Sequence, residues 1–88
     1  MTQNESTDKY GQNLPIKKFR AGAVVATVWN NKTKEGDGEY QTVSFDRSYK
    51  DKEGAWQRTT SLRMNDLPKA ALVLQKAYEY IALAEMEN

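Results

Sequence analysis

Arg47, Tyr49 and Lys50 stand just before the stretch Asp51-Lys52-Glu53-Gly54, and Trp56 and Arg58 stand just after it. Cationic side chains meet phosphates and aromatic faces stack on bases, each stack contributing roughly 1–3 kcal/mol to the binding of a single strand. Lys52 inside the stretch, Trp29 upstream, Arg63 downstream and the cluster Lys17-Lys18-Phe19-Arg20 extend the same chemistry. The candidate nucleic-acid contacts are thus Lys17, Lys18, Arg20, Trp29, Arg47, Tyr49, Lys50, Lys52, Trp56, Arg58 and Arg63. A structural reading stands beside this one. Aromatic residues are ordinary in strands, and exposed Lys and Arg keep strand edges from pairing. Lys17-Lys18-Phe19-Arg20 also reads as a solvated strand with Phe19 in the core.

These residues need a scaffold, and the stretch Tyr40–Met64 supplies its centre. Val43, Phe45 and Tyr49 share one parity, while Thr42, Ser44, Asp46 and Ser48 share the other. Successive strand side chains point to opposite faces, so this run has a dry face and a wet one. Asp51-Lys52-Glu53-Gly54 has the chemistry of a hairpin turn, with an Asp to bond the backbone and a Gly to take positive φ. A second strand is expected near Trp56–Met64. Upstream, Ile16–Arg20 reads as a short strand, Ala21-Gly22 as a bend and Ala23–Asn30 as a well-buried strand that is apolar on both parities. Asn30–Glu39 reads as a loop, and residues 1–14 as a disordered polar tail ending at Pro15.

Asn65-Asp66-Leu67-Pro68 opens a helix that runs to near the end of the chain, with Asn and Asp as caps and Pro tolerated in the first turn. Leu67, Ala71, Leu74, Tyr78 and Ile81 form one apolar stripe; Ala70, Val73, Ala77, Tyr80 and Ala84 form another. Two stripes exceed what one sheet contact requires, and a domain of 88 residues buries a small core. The wide apolar arc reads either as a small protein with a deep core, or as one stripe on the sheet and the other on a second subunit, with Val73, Ala77, Tyr80 and Ala84 as the dimer interface.

The composition excludes several classes. There is no cysteine and no histidine, which removes disulfides, thiolate zinc sites and histidine-based nucleophile activation. The carboxylates are scattered and follow no calcium-loop spacing, and the glycines follow no phosphate-loop spacing. No catalytic residue, metal, cofactor or small-molecule substrate is expected. No run reaches the ~20 apolar residues that cross a bilayer, and the polar N-terminus carries no apolar signal region, so the expected location is the cytoplasm. Net charge is +1, unevenly placed. The segment 15–66 holds ten Lys/Arg against seven Asp/Glu, so the strand region is basic and the helix mildly acidic.

The passage Thr42–Leu74, TVSFDRSYKDKEGAWQRTTSLRMNDLPKAALVL, resembles the carboxy-terminal domain of the transcriptional positive cofactor four family, single-stranded-DNA-binding coactivators. Tyr49 falls where that family carries a base-stacking aromatic ahead of the turn. Asp51, Glu53 and Gly54 match the turn, and Leu62, Met64 and Asn65 match the step into the helix. Trp56, Gln57 and Arg58 stand where the family is more basic. The resemblance implies a four-stranded antiparallel sheet and one helix, dimerisation through the helical side, single-stranded nucleic acid across the sheets and a role in transcription.

The expectation is therefore an α+β domain over 15–88, of three or four antiparallel strands followed by one long C-terminal helix. It forms a homodimer that binds single-stranded DNA or RNA with little sequence preference, in transcription or DNA maintenance. The rival expectation is a small protein-interaction module with no nucleic-acid role.

Overall fold

The computed structural model describes residues 14–34 and 38–86. Four strands, β1 (Leu14–Ala21), β2 (Val24–Lys32), β3 (Glu39–Lys50) and β4 (Trp56–Thr59), precede a single 3-10 turn (Met64–Asp66) and one helix, α1 (Leu67–Met86). The strands form one antiparallel sheet in the order β1-β2-β3-β4, so the expected α+β architecture is present with four strands. Among the described residues no helix is long and apolar enough to cross a membrane.

Three boundaries differ from the sequence expectation. Leu14 lies in β1, while the rest of the expected tail, 1–13, lies outside the described residues. Asn30, Asn31 and Lys32 extend β2 and Glu39 opens β3, so the loop is shorter than Asn30–Glu39; its residues 35–37 lie outside the described residues. Polar residues continue the strands because their side chains tie the ladder together. Asn31 Nδ2 donates to the Tyr40 carbonyl (3.3 Å) and to Thr42 Oγ1 (3.0 Å), and Gln41 Nε2 donates to Asn30 Oδ1 (2.7 Å). The third difference is β4, which stops at Thr59 instead of continuing to Met64. Arg47 Nε donates to the Ser61 carbonyl at 3.1 Å, and Leu62 packs against the core, so the chain leaves the sheet toward the helix side.

The core lies between one face of the sheet and α1. Val24, Ala26 and Val28 of β2 meet Ala70, Val73 and Ala77 of α1, flanked by Phe19, Ala21, Leu62 and Ile81. The small alanines on both surfaces allow the close approach of helix and sheet. The stripe expected to bind a second subunit is thus the one on the chain's own sheet. Val73 is 2% exposed and Ala77 0%, so neither is available to a partner in the folded chain. Tyr80 stands edge-on to Phe19 of β1, with ring centroids 6.2 Å apart, and Ala84 is exposed near the end of the helix.

The other stripe lies largely in solvent, with Leu67 52% and Tyr78 65% exposed and Leu74 also exposed, while its Ile81 reaches the core. Its direction follows from two contacts. A Cβ at Gly22, in the β1–β2 turn, would lie 3.2 Å from Lys69 Cδ, and Tyr80 meets β1, so that flank of α1 faces β1. At about 100° per residue, Leu67, Leu74 and Tyr78 fall on the opposite flank, toward β3. The helix packs mainly over β1 and β2 and much less over β3. Val43 of β3 is consequently exposed and Phe45 only half-buried on the helix side.

Candidate nucleic-acid interface

The face of the sheet turned away from α1 is set by the register. Val24, Ala26 and Val28 lie under the helix, so Val25, Thr27 and Trp29 point the other way. Residues directly opposite in an antiparallel pair share a face. Arg20 lies across from Val25, Lys18 across from Thr27, Thr42 across from Trp29, and Asp46 across from Val25 on the other side. Ser48 lies across from Arg58 and Lys50 across from Trp56. The open face therefore carries four cations, Lys18, Arg20, Lys50 and Arg58, against one carboxylate, Asp46, which lies 3.8 Å from Arg58.

Three aromatic side chains share that face. Trp29 is half-buried, and its Nε1 donates to Ser44 Oγ at 2.9 Å, which fixes the indole on the sheet. Trp56 is 68% exposed, and the Lys50 ammonium sits 5.5 Å from its ring centroid. Tyr40, across from Asn31, is the third. Tyr40 was not among the sequence candidates, although it shares the parity of Lys50 and could have been found by extending that alternation back along the strand.

The β3–β4 ribbon projects beyond the rest of the sheet. The last rung between β2 and β3 is the bond from Ser48 N–H to the Ala23 carbonyl (3.0 Å), and the ribbon continues past it to the turn. The turn holds itself. Asp51 Oδ1 accepts the Glu53 and Ala55 N–H groups at 2.9 Å, its Oδ2 accepts Gln57 Nε2 at 3.0 Å, and the Asp51 N–H reaches the Ala55 carbonyl. Gly54 takes φ +84°, as the turn reading requires. The bond from Ala55, then that from Gln57, holds the Asp51 carboxyl below its ordinary value of 3.8.

Two shallow concavities flank the base of this ribbon and share Ala23, Ser48 and Trp56. One, of about 620 Å³, is bordered on the open side by Arg20 and Arg58. The other, of about 570 Å³, is bordered by Tyr49, Lys50, Thr59, Arg47 and Arg63. The small Ala23 side chain leaves this gap between the β1–β2 turn and the ribbon.

The sequence candidates do not all converge. Lys18, Arg20, Trp29, Lys50, Trp56 and Arg58 share the open face, whereas Lys17, Arg47 and Tyr49 fall on the helix side. Lys17 sits 5.6 Å from the Phe19 ring there. Lys52 is in the turn and Arg63 follows β4. Arg47 differs most from the expectation of a solvated phosphate contact. It is buried, its Nε lies 3.1 Å from Asp66 Oδ2, and its guanidinium is 5.7 Å from the Tyr49 ring. Asp66 also accepts the Arg63 N–H at 2.8 Å, so the expected helix cap instead caps the preceding 3-10 turn. Among the described residues no group of three acids gathers as a metal site.

No family model matches the chain, and no curated protein or solved structure does.

Proposed function

We propose that the chain binds single-stranded nucleic acid, DNA in the first instance, across the open face of its sheet. One observation carries the reading. On the face that α1 leaves bare, four cations and three aromatic rings interleave around a single carboxylate. Trp56 and Trp29 offer faces to unpaired bases, and Lys18, Arg20, Lys50 and Arg58 neutralise the phosphates between them. Neither interaction reads base edges, so sequence preference is small. A duplex, whose bases are already stacked, has no faces to offer the tryptophans. The resemblance over Thr42–Leu74 supports single-strand binding in general and extends it toward transcription or DNA maintenance, but its base-stacking position, Tyr49, lies on the helix side and not on this face.

The test is a fluorescence-anisotropy titration of a labelled oligo-dT of about 20 nucleotides against the matching duplex, at low and moderate salt. Tighter binding to the single strand with a negative salt slope is the expected result. No binding at low salt, where the electrostatic contribution is greatest, would refute the reading.

A protein-interaction role is the second reading, and the exposed flank of α1 at Leu67, Leu74 and Tyr78 favours it. An interface of that kind would depend on salt far less than phosphate contacts do.

A further inference from the structure

The concavity of about 620 Å³ beside the β3–β4 ribbon differs from the rest of the open face. Elsewhere the cations stand singly, Lys18 on β1 and Lys50 on the ribbon. Here two guanidiniums border one hollow from opposite walls, Arg20 from β1 and Arg58 from β4. The two strands lie three steps apart in the sheet, or about 14 Å at ~4.8 Å per step, and both side chains reach the hollow between them. Its floor is low because Gly22, Ala23 and Ser48 are small. Gly22 takes φ +62°, which residues with a side chain rarely adopt, so the turn stays bare there. Trp56 forms a further wall. The Lys50 ammonium on its ring borders the other concavity and not this one, so the indole is uncovered here. Asp46 does not border the hollow, and Arg20 makes no ion pair among the described residues.

We propose that this concavity takes the phosphorylated end of a single strand, with the terminal phosphomonoester between Arg20 and Arg58 and the terminal base on Trp56. Charge selects the group. An internal phosphate carries one negative charge, which a single cation neutralises. A phosphomonoester carries about −1.5 to −2 at pH 7 and offers three acceptor oxygens. Two arginine forks approaching from opposite walls match that charge and those oxygens. The volume falls within the range of about 300–1,000 Å³ found for small-ligand sites, which is room for one nucleotide. The inference rests on the single-strand reading above and adds a preference for strand ends to it. On a strand with hydroxyl ends the same arginines meet internal phosphates, one each.

The test compares three oligo-dT probes of about 12 nucleotides, labelled on an internal base, by fluorescence anisotropy. One carries a 5′-phosphate, one a 3′-phosphate and one hydroxyls at both ends. At least one phosphorylated probe is expected to bind about 10-fold or more tightly than the hydroxyl-ended one. Arg20→Gln and Arg58→Gln are each expected to abolish that difference. Both arginines are exposed, so their replacement leaves the core untouched. Lys18→Gln is expected to weaken all three probes alike and keep the difference. Thymidine monophosphate as competitor should remove the preference, whereas inorganic phosphate at the same concentration should not, because it brings no base to Trp56. Equal affinity for the three probes would overturn the inference and leave the single-strand reading standing, whereas no binding of any probe would remove both. A preference that survives both arginine substitutions, or one that inorganic phosphate removes as well as the nucleotide does, would also overturn it.

Discussion

Arg47 and Asp66 meet as a buried ion pair, Nε to Oδ2 at 3.1 Å, with each side chain only about one-tenth exposed. The pair joins the end of β3 to the start of α1. The same guanidinium bonds the Ser61 carbonyl, and the same carboxylate bonds the Arg63 N–H, so the segment between β4 and the helix is pinned at both ends. An arginine read from the sequence as a phosphate contact thus holds the helix to the sheet.

Removing one partner leaves a charge buried without compensation. Asp66→Ala is expected to destabilise the fold by about 3–5 kcal/mol. The joint replacement Arg47→Met/Asp66→Leu leaves neither charge behind and is expected to cost much less. Urea denaturation monitored by far-UV circular dichroism measures both. Equal losses in the two variants would contradict the pairing.

Tyr49 and Trp56 are near in sequence but point to opposite faces, since Tyr49 is paired with Gln57 and Trp56 with Lys50. Trp56→Ala is expected to weaken binding to oligo-dT by roughly 1–3 kcal/mol, or about 5- to 150-fold. Tyr49→Ala is expected to leave affinity within about 2-fold, which is less than 1.4 kcal/mol would produce. Anisotropy titrations of both variants compare them directly. The reverse ranking would move the site to the helix side.

The salt slope counts phosphates. Each contact on a single strand contributes about −0.7 to the slope of log affinity against log salt. Lys18, Arg20, Lys50 and Arg58 together are expected to give a slope near −3, by four such contributions of about −0.7. Arg20→Gln should reduce its magnitude by ~0.7, whereas Lys17→Gln, on the other face, should leave it unchanged. A slope that responds equally to both would show that the faces are not distinguished.

Asp51 sets a pH dependence of the hairpin turn. Its folded carboxyl titrates below 3.8, so the ionised form is the one the turn stabilises. That stabilisation is fully present above 3.8 and is lost as pH falls through the lower folded value. Amide exchange at Glu53 and Ala55 should therefore be protected across neutral and mildly acidic pH, with loss confined to the region below 3.8. Asp51→Ala should expose both amides at every pH, and protection that persists in that variant would remove the carboxylate from the account.

The strands and the helix were legible because their periods are clean. Alternation in β3, the Asp-to-Gly turn and the polar opening of α1 each left a local signature. The surplus of apolar surface on α1 was legible too, but its assignment was inverted. Both stripes have helical spacing, so periodicity alone does not say which one meets the sheet. The alanines Ala70 and Ala77 let the backbone approach β2, while Leu67, Leu74 and Tyr78 are too large for so close a contact and stay outside. The burial of Arg47 had no local signal, because its partner Asp66 arrives from beyond another strand. The short extent of β4 was hidden for the same reason. Its continuation alternates well enough for a strand, but Leu62 is drawn down into the core. Within the site, parity would have separated Tyr49 from Lys50 and Trp56 had it been carried across the turn.

Every strand of this sheet pairs with its neighbour in the chain, in the order β1-β2-β3-β4. The loops to be closed are short, so little chain entropy is lost at each step, and the order of pairing is the order of synthesis. The helix breaks this locality, since α1 comes last yet rests on β1 and β2, the first strands made. As the chain emerges, the β2 surface bearing Val24, Ala26 and Val28 is complete well before the residues that will cover it. That apolar face of β2 can be covered only once α1 has been made, so completion of the core depends on the last of these elements to be synthesised.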